Sequence, residues 1–183
     1  MPDRIAFRIA LAIAAALASG AVGAAERYGF GQPATPQQIA GWDIDISPDG
    51  AGVPPGRGDV RQGEAIFAAK CASCHGARGE GKPMDRLVGG VGTLRDKKPE
   101  KTVGSFWPYA STLFDYVRRA MPLNAPQSLT PDEVYAVSAY VLFLNGIVPQ
   151  DAMLDADTLA KIKMPNRDGF VSAYSPPGAG AKP

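Results

Sequence analysis

Residues 71–75 read Cys-Ala-Ser-Cys-His, in the frame AAKCASCHGARGEG (68–81). The chain has 183 residues, yet its two cysteines and its one histidine all fall in these five positions. Cys71 and Cys74 are three apart, so on a helical turn their side chains share one face. His75 follows directly. A helix leads into this turn: Asp59 is a good N-cap for DVRQGEAIFAAKC (59–71), with Val60, Gly63, Ile66, Phe67 and Cys71 near the helical period. Gly63 costs such a helix about 1 kcal/mol against alanine. One turn before Phe67, it reads as the place where a second helix comes close.

Outward from this helix, the chain alternates between capped helices and long loops. Residues 76–105 hold nine glycines or prolines and little periodicity. A loop that long usually wraps something functional. SFWPYASTLFDYVRRAMP (105–122) follows, with Ser111 as the expected N-cap, a stripe of Leu113, Phe114, Val117 and Ala120, and an end at Met121-Pro122. The strongest helix start is in LTPDEVYAVSAYVLFLNG (129–146): Thr130 as N-cap, Pro131 at the first position, Glu133 closing a capping box. Asn145-Gly146 supplies the stop. Before the first helix, TPQQIAGW (35–42) predicts a short helix with Thr35 as cap, and SPDGAGVPPGRG (47–58) reads as loop. A last short helix is expected near 157–163. No strand alternation stands out, so the expected fold class is all-α, three good helices with long wrapping loops.

The N-terminus predicts export. Arg4 and Arg8 flank the start of the apolar run IALAIAAALA (9–18), and small residues SGAVGAA (19–25) follow. This is the pattern of a cleaved secretory signal, with an apolar core too short for the roughly 20 residues of a membrane span. Losing residues 1–25 removes one aspartate and two arginines and brings the formal charge from +1 to zero. Bulk charge therefore gives no argument for nucleic-acid binding. The expected organisation is a signal peptide over 1–25, an N-terminal extension over 26–58, a domain over 59–148 and a C-terminal extension over 149–183 with a disordered tail. The expected location is the periplasm, with no membrane span in the mature protein.

C-x-x-C-H is the attachment signature of c-type haem. Two thiols on one face suit thioether bonds to the two vinyl groups of one porphyrin, and the next residue, His75, falls under the iron as axial ligand. Three rivals use the same residues. A structural zinc site needs four ligands, so an Asp or Glu would have to complete Cys71, Cys74 and His75. A redox dithiol calls for a βαβ setting, which the sequence does not offer. A disulfide across so small a loop stabilises little. With no second histidine, a sixth iron ligand would be methionine, which raises the reduction potential. The candidates are Met84, Met121, Met153 and Met164. Met84 lies only nine residues past His75. Met153 and Met164 follow the last long helix and read as core gap-fillers. Met121, between two helices, has the reach to cover the opposite haem face, and position favours it.

These residues resemble the class I cytochromes c over 59–146. In that family a glycine and an aromatic of the first helix pack on an aromatic of the last, matched here by Gly63, Phe67 and Tyr140. Met121-Pro122 stands where the family's axial methionine stands. A narrower resemblance runs through YGFGQPATPQQIAGWDIDISPDG, CASCHGARGEG, KTVGSFWPYASTLFDYVRRAMP, QSLTPDEVYAVSAYVLFLNG and KMPNRDGF. These stretches are similar to the N-terminal haem domain of the cytochrome subunit of Sox-pathway sulfur (sulfane) dehydrogenases and to the cytochrome subunits of sulfite dehydrogenases. The resemblance implies one covalent haem c held by Cys71, Cys74, His75 and Met121. It also implies a partner, a molybdenum-cofactor subunit of the sulfite oxidase type that hands electrons to the haem, and a downstream cytochrome or other acceptor. The best-known Sox dehydrogenase cytochromes carry two haem domains, whereas this chain has one attachment motif, so electron exit through a second haem is expected either to be absent or to belong to another protein.

Two further functions stay open at this point: a stand-alone electron carrier, and a haem enzyme with a displaceable sixth ligand. The loop RDKKPEK (95–101), with Lys82 and Arg86, reads either as a solvated face or as a surface that steers an acidic partner. Phe106, Trp107 and Tyr109 are expected either in loop core or against the haem. Arg118 or Arg119 is a candidate for a haem propionate.

Overall fold

The computed structural model describes residues 30–171. The expected signal peptide and the end of the C-terminal tail lie outside the described residues. Residues up to Gly41 group separately from those after it. Helix α1 (Pro36–Trp42), all but its last residue in the first group, carries the expected cap: the Gln38 amide donates to Thr35 Oγ1 at 3.2 Å, and the Thr35 amide donates to Gln38 Oε1 at 2.8 Å.

From Trp42 onward the chain folds around two crossed helices. Strand β1 (Arg57–Asp59) leads straight into α2 (Val60–Lys70). Asp59 caps α2 as expected. Its carboxylate accepts from the Gln62 amide at 2.8 Å, and Gln62 Oε1 accepts from the Asp59 amide at 3.0 Å, a complete capping box. The four-residue α3 (Ala72–His75) follows, then a long irregular segment with one 3-10 turn at Thr93–Arg95. Helix α4 spans Ala110–Ala120 and α5 spans Pro131–Leu144. Thr130 and Glu133 form the capping box predicted for α5, with Pro131 at its first turn.

Three local expectations are corrected. Ser111 does not cap α4, which starts one residue earlier, after Tyr109. Its buried side chain donates instead to the Pro48 carbonyl at 3.0 Å. The fold also contains a two-stranded antiparallel ribbon that the sequence reading did not find. β1 pairs with β2 (Met153–Asp155), with Gly58 opposite Leu154. Strands of three residues are too short to show alternation. The expected late helix is the single turn α6 (Ala156–Leu159), capped by Asp155. The ribbon also explains Met153. It was expected as gap-filler, but in β2 the side chains alternate, so Leu154 is buried and Met153 is exposed. Met164 is the gap-filler predicted, 1 % exposed in the core.

The core lies between α2, α4 and α5. Gly63 faces Ala136 at the α2–α5 crossing: a Cβ there would overlap the Ala136 carbonyl and sit 2.8 Å from Tyr140 Cβ. Only a residue without a side chain lets the helices approach this closely. Phe67, one turn on, packs its ring on Tyr140 with centroids 5.3 Å apart, and Phe114 of α4 meets Tyr135 at 4.5 Å. Burying rings of this size stabilises by about 2–3 kcal/mol each. Lys70 and Glu133 close the crossing with an ion pair at 2.7 Å. The flanks join the same core through Ile46, Leu154, Leu159 and Met164. The Tyr135 hydroxyl donates to the Pro54 carbonyl at 2.9 Å, and burial, with Asp155, Asp132 and Asp157 nearby, pushes its pKa up to about 12.

Candidate functional site

Helix α2 delivers the CASCH turn. The Cys71 amide donates to the Phe67 carbonyl at 2.8 Å, and the turn then tightens: the Cys74 and His75 amides donate to the Cys71 carbonyl at 3.1 and 3.0 Å. Both cysteines are free thiols. Cys71 is half-buried against the core, and burial pushes its pKa up to about 11 despite the neighbouring Lys70. Cys74 is exposed. One thiol thus sits at the edge of the packed interior and the other opens outward.

His75 is half-buried, and its ring is fixed by a backbone contact. Nδ1 lies 2.8 Å from the Asp85 carbonyl. A carbonyl only accepts, so the contact selects the neutral tautomer in which Nδ1 carries the proton and Nε2 has the lone pair. The imidazole is therefore prepared to coordinate through Nε2. The loop after the turn folds back to make this possible: the Gly81 amide donates to the His75 carbonyl at 2.7 Å and the Met84 amide to the Cys74 carbonyl at 2.9 Å. The second of these bonds holds Met84 beside the attachment turn, and its side chain is largely exposed.

Met121 belongs to another element, the C-terminal end of α4. Its amide donates to the Val117 carbonyl at 3.1 Å while its own backbone is extended, which turns the chain out of the helix. The side chain is half-buried and packs on the same core cluster as Cys71, Ala72 and Trp107. The structure thus gathers Cys71, Cys74 and His75 in one turn and brings Met121 to the same core from a second helix.

The aromatic loop before α4 is held from outside. Phe170 meets Phe106 edge-on at 5.1 Å, Asn166 Nδ2 donates to the Phe106 carbonyl at 2.8 Å, and the Arg167 guanidinium lies 4.5 Å from the Tyr109 ring centre. Trp107 makes an edge contact with Tyr116 at 5.6 Å. The arginines near Met121 are engaged within the protein: Arg118 donates to the Ile44 carbonyl at 3.0 Å, and Arg119 pairs with Asp115. Around RDKKPEK, Arg86 pairs with Glu100 at 2.9 Å, with both side chains about half exposed, a pair worth little in stability.

The rival readings of the motif find little here. Among the described residues no group of three or more His, Cys, Asp or Glu is placed to hold a metal ion, so a zinc site lacks its fourth donor. The ribbon is antiparallel, so it supplies no βαβ setting for a redox dithiol. What sequence reasoning missed is the Asp85 carbonyl. A backbone acceptor has no letter of its own, and the only hint was that a Gly/Pro-rich loop follows the motif.

Comparison with known proteins points one way. The sequence profile of the family described as Cytochrome c matches residues 60–145. Cytochrome c-L of Methylorubrum extorquens is 33% identical over 113 residues, 61% of this chain and 53% of that protein. The chain thus spans about half the length of that curated relative. A chain in the crystal structure of the sulfane dehydrogenase SoxCD from Paracoccus pantotrophus is 45% identical, with a TM-score of 0.75 over 79% of this chain and 72% of that one.

Proposed function

Because the chain belongs to the cytochrome c family, with one covalently bound haem c and electron transfer as its chemistry, we propose that it is the haem subunit of a sulfur-oxidising dehydrogenase. In this reading it works in the periplasm. It accepts electrons from a molybdenum-containing subunit that oxidises sulfite or protein-bound sulfane sulfur, and passes them to a downstream carrier. The observation that carries this reading is the 45% identity to a chain of the sulfane dehydrogenase structure. Among the described residues no helix is long and apolar enough to cross a membrane.

The residues fit the haem. Cys71 and Cys74 offer two free thiols on one turn, each able to add its S–H across a vinyl group. His75 offers Nε2 with its tautomer fixed by the Asp85 carbonyl. Met121 is the methionine we assign as sixth ligand: Met84 is tied beside the Cys74 backbone, Met153 points to solvent and Met164 is sealed in the core. When bound, the haem supplies a one-electron ferric/ferrous couple. Two protein ligands at the ends of packed helices would keep the reorganisation on electron transfer small. In the same reading residues 59–148 form the haem domain and the segments beside it are extensions.

The test uses native periplasmic material purified through a tag on this subunit. Sulfite is added and the haem absorption is followed, with the isolated recombinant cytochrome as control. Rapid reduction in the native preparation alone is expected. Failure with a demonstrably intact partner would leave sulfane sulfur on a carrier protein as substrate. Absence of any partner would favour the second reading, a stand-alone carrier, which the match to a protein named simply as cytochrome c-L supports.

A further inference from the structure

Asn145 is the C-cap of α5. In the structure its side chain has a second task. Nδ2 donates to the Val141 carbonyl at 2.9 Å and to the Leu87 carbonyl at 3.2 Å, while Oδ1 accepts from the Gly89 amide at 3.1 Å. Both faces of the amide are therefore used. One side chain joins the end of α5 to loop residues that lie more than fifty positions earlier. Room is made for it by Gly104, where a Cβ would sit 2.6 Å from Asn145 Cγ.

The loop that Asn145 grips is the one that orients His75. Asp85, whose carbonyl accepts from His75 Nδ1, is two residues before Leu87. Two other sets of bonds hold the same loop. The Gly79 carbonyl accepts from the Leu87 and Val88 amides at 2.9 and 3.2 Å, and Thr102 Oγ1 donates to the Gly89 carbonyl at 2.6 Å. Those bonds tie loop to loop. The Asn145 bonds tie the loop to α5, which packs across α2, the helix that ends in the CASCH turn. The ring of His75 and its acceptor are thereby referred to the same pair of crossed helices.

We propose that Asn145 is a positioning residue for the axial imidazole. It locks residues 87–89 to α5 and so keeps the His75 Nδ1–H to Asp85 carbonyl bond short and firm. The proposal rests on the reading of His75 as an iron ligand. A ligating imidazole that donates its other N–H to a firm acceptor is the more basic ligand. A more basic ligand favours the ferric state, so loosening the loop should make the haem easier to reduce.

The test compares three variants of the holo-protein: Asn145→Ala, Asn145→Asp and Gly146→Ala. Gly146 has φ +68° with open space around it, so alanine there strains the same helix end without touching the loop. The readouts are the solvent exchange of the axial histidine Nδ1–H, by NMR of the ferrous protein, and the midpoint potential. Asn145→Ala is expected to speed exchange at least tenfold. It should also raise the ferrous-to-ferric ratio at fixed poise by threefold to tenfold, where tenfold is about 59 mV for one electron. Gly146→Ala should leave both near wild type. Asn145→Asp keeps an acceptor for Gly89 but sets a carboxylate oxygen against the Leu87 and Val141 carbonyls, and should speed exchange at least as much as Asn145→Ala. Equal behaviour of Asn145→Ala and Gly146→Ala overturns the proposal. If Asn145→Ala does not fold, an Asn145→Asp protein indistinguishable from wild type overturns it. A wild-type holo-protein with no iron-bound histidine resonance removes the axial assignment and the proposal together. A normal wild-type spectrum with unresponsive variants removes the proposal alone.

Discussion

The α2–α5 crossing and the loop from 76 to 105 hold the two sides of His75 by different means. At the crossing, apolar surface and close approach do the work: Gly63 lies against Ala136, and Phe67 against Tyr140. In the loop, side chains bond to backbone. Thr102, Ser105 and Asn145 together satisfy backbone groups of residues 87, 89, 100, 102 and 105. The first kind of contact is strong and tolerant of small rotations. The second is weaker per contact but directional, and so suits a segment that must present one carbonyl to one ring nitrogen. A rigid crossing and a precisely bonded loop are thus divided between stability and ligand geometry.

Four changes would break or sharpen this contrast. The largest effect is expected at Met121, the proposed sixth ligand. Met121→Ala should turn the low-spin spectrum high-spin and lower the midpoint potential by a sizeable part of the roughly 0.8 V that axial ligands command. The crossing should not notice, and an unchanged spectrum would remove Met121 as ligand. Next is Gly63→Val, which forces α2 off Ala136. Denaturant titration should show a loss of about 3 kcal/mol, with the haem spectrum of the folded fraction unaltered. A loss below about 0.5 kcal/mol would mean that the helices are not in close contact. Third is Thr102→Val in the loop, which strands the Gly89 carbonyl and the Ser105 amide. About 1–2 kcal/mol is expected, together with faster amide exchange at residues 87–89, a local signature the Gly63 variant should lack.

The smallest effect is the Lys70–Glu133 pair. Its hydrogen bond to Lys70, with that to the Thr130 backbone, holds the Glu133 carboxyl below the ordinary carboxylate range. A depressed carboxyl contributes stability above its ordinary titration range and loses it as pH falls through the folded-state value. Both side chains are partly exposed, so only a few tenths of a kcal/mol are expected. Wild type and Glu133→Gln should therefore converge in stability as pH is lowered below the carboxylate range. A gap that persists there would assign the effect to the cap geometry instead.

Legibility in the sequence followed the same division. The helices α1, α2 and α5 could be read with their caps, because Thr35, Asp59 and Thr130 act on residues three positions away. Gly63 could be read as a contact because a glycine opposite a ring on one helix face has few other uses. The turn at 71–75 stood out because Cys71, Cys74 and His75 lie at fixed spacing. The ribbon was not, since three-residue strands carry no period and the partners are on opposite flanks of the domain. Ser111 misled because a hydroxyl near a helix start suits a cap, and only the tertiary structure puts the Pro48 carbonyl above it. The Asp85 acceptor and the Asn145 staple could not be read at all, being contacts between backbone atoms and distant residues.

The ribbon has a consequence for how the chain is put together. Arg57 pairs with Asp155, so forming β1–β2 closes a loop that contains almost the whole domain. Loop closure over that length carries most of its entropic cost before any bond forms. The ribbon should be a late event in folding, a clasp shut over a core that already exists. Leu154 and Leu159 then reach the core only when the clasp closes. A nascent chain that has not yet released residue 153 would keep the front of α2 more open than the finished protein does.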